Sequence, residues 1–112
     1  MNREHGSCGI GPVCGRYHAA ADLLCKRWSV SVVAVLVEHD PVRFNQLREA
    51  VPGITPKLLA ERLRELEAAG VVERRVTASV PVLVEYRLTP KGIALRDLVG
   101  ALQSWADAWG VR

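Results

Sequence analysis

The sequence predicts an α+β chain, and three observations lead to that class. Residues 43–69 hold a short amphipathic segment, a turn with glycine and a second, longer amphipathic segment. Two runs of strand-favouring residues follow Gly70, VVERRV (71–76) and LVEYRL (83–88), joined by TASVPV. A Thr-Pro pair at residues 89–90 then opens a last stretch with leucines and tryptophans at helical spacing. Helix, turn, helix and a two-stranded ribbon, in this order, make the winged helix-turn-helix pattern, here with an additional C-terminal dimerisation helix.

The totals bound the reading. A chain of 112 residues, 49% hydrophobic and 24% charged, suits one globular domain. Three parts are expected within it: a flexible N-terminal arm over 1–15, the winged helix-turn-helix over 16–89 and the C-terminal helix over 90–112. No apolar run follows the first charges, so no secretory signal is read there. The longest apolar stretch, Trp28 to Val37, is broken by Ser29 and Ser31 and is too short to span a bilayer. A cytoplasmic protein with no membrane partner is expected. Net charge is +3, and residues 16–64 carry the whole excess, with eight Lys/Arg against five Asp/Glu. A basic bias centred on the helix-turn-helix suits nucleic acid.

RYHAAADLLCKR (16–27) has alanines and leucines at helical spacing. WSVSVVAVLVEH (28–39) is rich in valine, which favours a strand locally. No strand partner is evident before residue 70, so it is read as a buried helix. Asp40-Pro41 is a turn. RFNQLREAV (43–51) is a short helix with Phe44, Leu47 and Val51 inward. After the turn at 51–54, Thr55 is a good N-cap and Pro56 suits the first helical position, where its missing N–H costs nothing. This helix runs to about Ala69, and Gly70 supplies a left-handed stop. The loop 77–82 is the wing, and one final helix is expected over about 90–109.

At about 100° per residue, Leu59, Leu63 and Leu66 share one inward stripe of the 55–69 helix. Lys57, Glu61, Arg64 and Ala68 lie opposite, with Leu58, Arg62 and Glu65 on one flank and Ala60 on the other. A charged face on an isolated helix is most often solvated. In this context it is the element that enters the major groove, where Arg and Lys meet guanine edges and phosphates. The candidate DNA-contacting residues are Thr55, Lys57, Leu58, Glu61, Arg62 and Arg64, with Ser79 and Val80 from the wing.

The series DLLCKRW (22–28), RFNQLR…GITPKLLAERL…LEAAGVVERR (43–75), VEYRLTPKG (84–92) and LVGALQSWADAWG (98–110) resembles the HxlR-type winged helix-turn-helix transcriptional regulators over roughly residues 14–110. The resemblance implies a bacterial DNA-binding homodimer, and it implies that the valine-rich segment is a helix. The sequence departs from the family at four places. Cys25-Lys26 stands where a glycine pair is common, and the N-terminal cysteine, Cys14, is out of step with the usual Cys-Pro. Glu61 occupies an outward position often basic or amide, and Val-Pro-Val-Leu fills the wing where Arg or Lys near position 83 is common.

The resemblance also implies that a cysteine near the first helix can sense oxidants or electrophiles; Cys14 is the first candidate and Cys25 the second. An odd count of three cysteines speaks against a disulfide framework. His5, Cys8, Cys14 and His18 lack the close cysteine pair of zinc motifs, so no metal and no cofactor is expected. No hydrolase, metalloprotease or phosphate-loop signature is present, and the chain is read as a non-enzyme. In the last helix, Leu95, Leu98, Val99, Leu102, Trp105 and Trp109 form a stripe assigned to the homodimer, with Ala20, Leu23 and Leu24 as its counterpart. The expected function is a sequence-specific DNA-binding transcriptional regulator, a repressor acting as a homodimer on a pseudo-palindromic operator in double-stranded DNA. Its rivals are a redox-sensing or small-molecule-gated member of the same class, with an unknown inducer, and a winged-helix module that binds protein instead of DNA.

Overall fold

A computed structural model describes residues 10–110. The order is α1 (Gly15–Leu24), α2 (Ser29–Glu38), β1 (Val42–Arg43), α3 (Phe44–Ala50), α4 (Pro56–Ala68), β2 (Val72–Thr77), β3 (Leu83–Leu88), α5 (Pro90–Ile93) and α6 (Arg96–Trp109). The sheet is antiparallel with order β1-β3-β2. The fold is α+β and winged helix-turn-helix, as the sequence predicts.

The core is apolar and is drawn from nearly every element. Val32, Val33 and Leu36 of α2, Leu47 of α3, Leu59, Leu63 and Leu66 of α4, and Val72, Tyr86 and Leu88 of the ribbon are all buried. Helix α2 lies at the centre and touches α1, α3, α4, α6 and β3. Its valines are helical because the helix packs them against five neighbouring elements. Burial of Val32, Val33 and Leu36 then outweighs the weak local preference for strand.

The end of α4 is clasped to the start of α5. Gly70 takes φ +79, which lets the Val71 amide reach back to the Leu66 carbonyl at 2.9 Å. The Lys91 ammonium donates to the Ala69 carbonyl at 2.7 Å, placing a cation at the negative end of the helix. The Thr89 amide donates to the Val71 carbonyl at 3.0 Å, and its hydroxyl donates to the carbonyls of Gly70 and Val71. That same hydroxyl oxygen accepts from the Gly92 amide at 3.1 Å and so caps α5.

Four details differ from the sequence expectation. A two-residue strand, β1, precedes α3 and pairs Val42 with Tyr86 and Arg43 with Glu85; nothing local signals it. The first ribbon strand begins at Val72 rather than Val71, because the Val71 amide is used to close α4. The last helix is broken at Ala94–Leu95, so α5 and α6 are separate. The first helix ends at Leu24, and the following turn holds Trp28 at φ +82, in the left-handed region. The Arg27 guanidinium sits 4.7 Å from the centre of the Trp28 ring, a cation–π contact. Residues 10–14 have no regular structure; His5 and Cys8 lie outside the described residues. Among the described residues no helix is long and apolar enough to cross a membrane.

Gly92 is needed for contact rather than for an unusual φ. A Cβ there would collide with the Val71 carbonyl oxygen and lie 2.9 Å from a Leu88 methyl. Gly92→Ala is therefore expected to lower the free energy of unfolding by about 1–3 kcal/mol. Gly100→Ala, with no atom within 4 Å of its Cβ, should instead hold or raise stability, as seen in urea denaturation.

Candidate nucleic-acid interface

The outward face of α4 is fixed from both ends. Before it, Val51 and Ile54 bury the turn from α3, and Gly53 takes φ +94. The chain then enters α4 through Thr55, whose Oγ1 accepts from the Leu58 amide at 3.1 Å, with Pro56 in the first turn. Leu59, Leu63 and Leu66 lock the inner face. Lys57 and Arg64 are exposed, and neither has a carboxylate within ion-pair distance among the described residues. Helix α4 thus presents its N-terminus, with Lys57 in the first turn, and a second free cation, Arg64, two turns further along the same face, a surface suited to phosphate and guanine.

The other sequence candidates on α4 behave differently. Leu58 is half-buried and packs on the core. Glu61 is half-buried, with Oε1 3.9 Å from the Arg62 guanidinium. Arg62 departs most from expectation. Its side chain is only 13% exposed. Nε donates to the Arg27 carbonyl at 2.9 Å and Nη1 donates to both oxygens of Glu65 at 3.2 Å. Lys26 also meets Glu65 at 3.2 Å. Arg62 is therefore committed to holding the α1–α2 turn against α4 and is not offered outward. Spacing alone left it on the flank of the helix beside Glu65 at i+3; the Arg27 carbonyl that draws it inward is 35 residues away, so no local signal reveals that contact.

In the wing, Ser79 and Val80 are exposed, the Ser79 hydroxyl donates to the Pro81 carbonyl at 2.6 Å, and the Val80–Pro81 bond is cis. Sequence reasoning passed over the ribbon's own arginines, Arg74 and Arg75 on β2, both exposed. Their alternation along a strand was the available signal.

The α6 stripe divides. Leu95 and Val99 are half-buried against the core, whereas Leu98, Leu102, Trp105 and Trp109 are exposed, Trp109 by 74%. On α1, Leu23 and Leu24 pack partly on the core; Ala20 is exposed, and so are Val13 and Tyr17 nearby. Cys14 and Cys25 are free, exposed thiols. Cys14 precedes the first turn of α1. The amides of Tyr17 and then Arg16 face its sulfur without closing a capping hydrogen bond, and they hold its thiol pKa below the ordinary value. No group of three or more potential metal ligands forms among the described residues.

The family model for the HxlR-like helix-turn-helix matches residues 23–112. The chain belongs to this family. It is 44% identical over 95 residues to the HTH-type transcriptional regulator YodB of Bacillus subtilis (strain 168), covering 85% of this chain and 84% of that one. It is 41% identical over 97 residues to the HTH-type transcriptional regulator YvaP of the same organism, covering 87% and 89%. The solved reduced form of YodB superposes with TM-score 0.75 at 42% identity over 88% of this chain and 96% of that one. YodB has also been solved diamide-treated and quinone-bound. The redox regulator HypR in its oxidized form superposes with TM-score 0.81 at 32% identity, over 87% and 99%. This HxlR-like chain is accordingly a DNA-binding regulator of transcription and not an enzyme.

The two arginines of α4 should separate by experiment. Arg62→Ala leaves Glu65 and the Arg27 carbonyl without their donor and is expected to cost about 1–3 kcal/mol of stability. The Lys57→Ala/Arg64→Ala double variant removes only exposed cations and should unfold within about 0.5 kcal/mol of wild type in urea. Equal losses in the two proteins would contradict the inward role of Arg62.

Proposed function

We propose that the chain is a sequence-specific repressor that binds a pseudo-palindromic operator as a homodimer, with α4 of each protomer in the major groove. The observation that carries this reading is the α4 face itself. Lys57 and Arg64 stand free on one side of a helix whose other side is locked by Leu59, Leu63 and Leu66. Arg64 reads a base or phosphate, Lys57 meets phosphate, and Thr55 brings the helix N-terminus close to the backbone. Leu58 and Glu61 border this contact; a carboxylate there disfavours phosphate and can accept from a cytosine amino group.

A single helix covers few base pairs, so specificity calls for two. A two-fold dimer sets two such helices about 34–36 Å apart, one turn of DNA. Leu98, Leu102, Trp105 and Trp109 are exposed at i, i+4, i+7 and i+11 along α6, a continuous apolar stripe of the kind that marks an interface.

One experiment tests both parts. Wild type should retard the DNA upstream of its own gene and sediment as a dimer at micromolar concentration. Trp105→Ala should sediment as a monomer and lose operator affinity, since truncating a Trp anchor costs about 2 kcal/mol or more. A Trp105→Ala protein that stays dimeric and still binds would exclude this stripe as the interface.

A second reading, redox control, is favoured by the lowered thiol pKa of Cys14 and by the redox regulators among the relatives. In it, an oxidant or electrophile caps or cross-links Cys14 and changes DNA affinity, with Cys25 as the alternative thiol. The lowered pKa keeps Cys14 as thiolate to lower pH than an ordinary thiol. Its alkylation by iodoacetamide should therefore persist on acidification below the range where a free cysteine falls silent. Cys14→Ser should abolish an oxidant-dependent loss of operator binding; an unchanged response in that variant excludes Cys14 as the switch.

A further inference from the structure

The β-ribbon has three arginines, and their surroundings differ. Arg75 on β2 lies 3.8 Å from Glu73, and Arg87 on β3 lies 3.6 Å from Asp40. Arg74 on β2 is exposed and has no carboxylate within ion-pair distance among the described residues. Alternation puts Arg74 on the same ribbon face as Val72 and Val76. Across the ladder these three face Leu88, Tyr86 and Val84 in the order Val72, Arg74, Val76. That face is the one turned toward the helices. Val72, Tyr86 and Leu88 are buried, and β2 packs against α4. Exposure begins between Val72, buried, and Val76, 51% exposed, so Arg74 stands where the ribbon leaves the core beside the recognition helix.

The tip is different in kind. From Thr77 through Val84 there is no charged side chain. Val80 is fully exposed and Val82 is 60% exposed. The one hydroxyl at the turn, on Ser79, spends its proton on the Pro81 carbonyl within the loop. A neutral, apolar tip has no attraction for phosphate, whereas a free guanidinium has two parallel donors that match it.

We infer that Arg74, at the stem of the ribbon, supplies the wing's contact with the DNA backbone, and that the tip residues Ser79 and Val80 do not. The inference rests on the proposed DNA contact of α4 and adds a second, sequence-independent anchor beside it. Because Arg74 has no intramolecular ion pair among the described residues, binding breaks none, and the contact is not offset by a lost partner.

The test measures fluorescence anisotropy of full-length protein on two duplexes, one carrying the DNA upstream of its own gene and one of random sequence, across a salt series. Arg74→Ala should weaken binding to both duplexes alike, on the order of threefold to tenfold, and lower the salt slope by about one. Arg74→Lys should restore the slope, because a lysine still neutralises a phosphate. A Ser79→Ala/Val80→Ala double variant should stay within about twofold of wild type. The inference is overturned if Arg74→Ala binds like wild type, if its loss is confined to one sequence, or if the tip variant loses as much. Arg64→Ala runs in parallel. If Arg64→Ala loses affinity while Arg74→Ala does not, the α4 reading stands and this inference falls; if wild type binds neither duplex, both fall.

Discussion

Burial of Leu59, Leu63 and Leu66 sets the rotation of α4, and the outward surface follows from it. All three are essentially without solvent contact. Each contributes about 1.5–3 kcal/mol relative to exposure. Turning the helix by one residue, about 100°, would lift these leucines toward water and press Arg64 and Glu67 inward in their place, which is far more costly. The cations proposed to meet DNA are thus positioned by apolar contacts on the opposite side of the helix. The clasp at the helix end does the same for translation. The Val71 amide on the Leu66 carbonyl and the Lys91 ammonium on the Ala69 carbonyl stop α4 from sliding or fraying where the ribbon begins.

Within that frame, what separates one arginine from another is its partners, not its charge. Arg62 and Arg64 are two residues apart on one helix. Arg62 lies against the Arg27 carbonyl and Glu65, which Lys26 also meets, so cations from α4 and from the α1–α2 turn converge on one carboxylate. Arg64 has no such neighbour among the described residues. The same sorting holds on the ribbon, where Arg75 and Arg87 face carboxylates and Arg74 does not. A net charge of +3 hides this division, because an engaged cation and a free one count equally. Exposed pairs such as Arg75–Glu73 are weak and can be broken. The half-buried Arg62 node is more costly to break, and it makes the α1–α2 turn and α4 one mechanical unit.

Local chemistry was legible in the sequence and long-range chemistry was not. Both Thr-Pro starts are true caps: Thr55 accepts from Leu58, and Thr89 accepts from Gly92, each within one turn. The leucine period of α4 and the stop at Gly70 were readable for the same reason. β1 escaped notice because its two residues pair with Tyr86 and Glu85, more than forty positions on, and no pattern two residues long carries information. The break at Ala94–Leu95 escaped because neither residue disfavours a helix. It arises where α5 is held against Val71, while Leu95 and Val99 draw α6 onto the core. In α2, local propensity pointed the wrong way, and burial of Val32, Val33 and Leu36 against the surrounding elements decided the matter. Of the candidate site, the free cations of α4 could be placed on a face from the period alone. The inward turn of Arg62 and the free state of Arg74 depend on neighbours that only the folded chain supplies.

Helix α6 carries two demands on one face, and the way it divides them bears on how an operator would be read. Leu95 and Val99 attach its first half to the core, and α6 touches α2, the central helix. Leu98, Leu102, Trp105 and Trp109 are left on the surface and continue to the last turn, away from that attachment. In the proposed dimer the attached half fixes the angle at which the free half leaves the domain. That angle in turn fixes the separation of the two α4 helices, since α2 packs against α4 as well as α6. Half-site spacing would therefore be set by packing at Leu95 and Val99 rather than by the tryptophans, whose part is affinity between protomers. Helix α1, with Val13 and Tyr17 exposed near its start and Leu23 and Leu24 partly on the core toward its end, shows the same division. A chemical change at Cys14, at the free end of α1, would then act on the relation between protomers before it acted on the recognition helix, because the leucines that hold α4 lie wholly inside one domain.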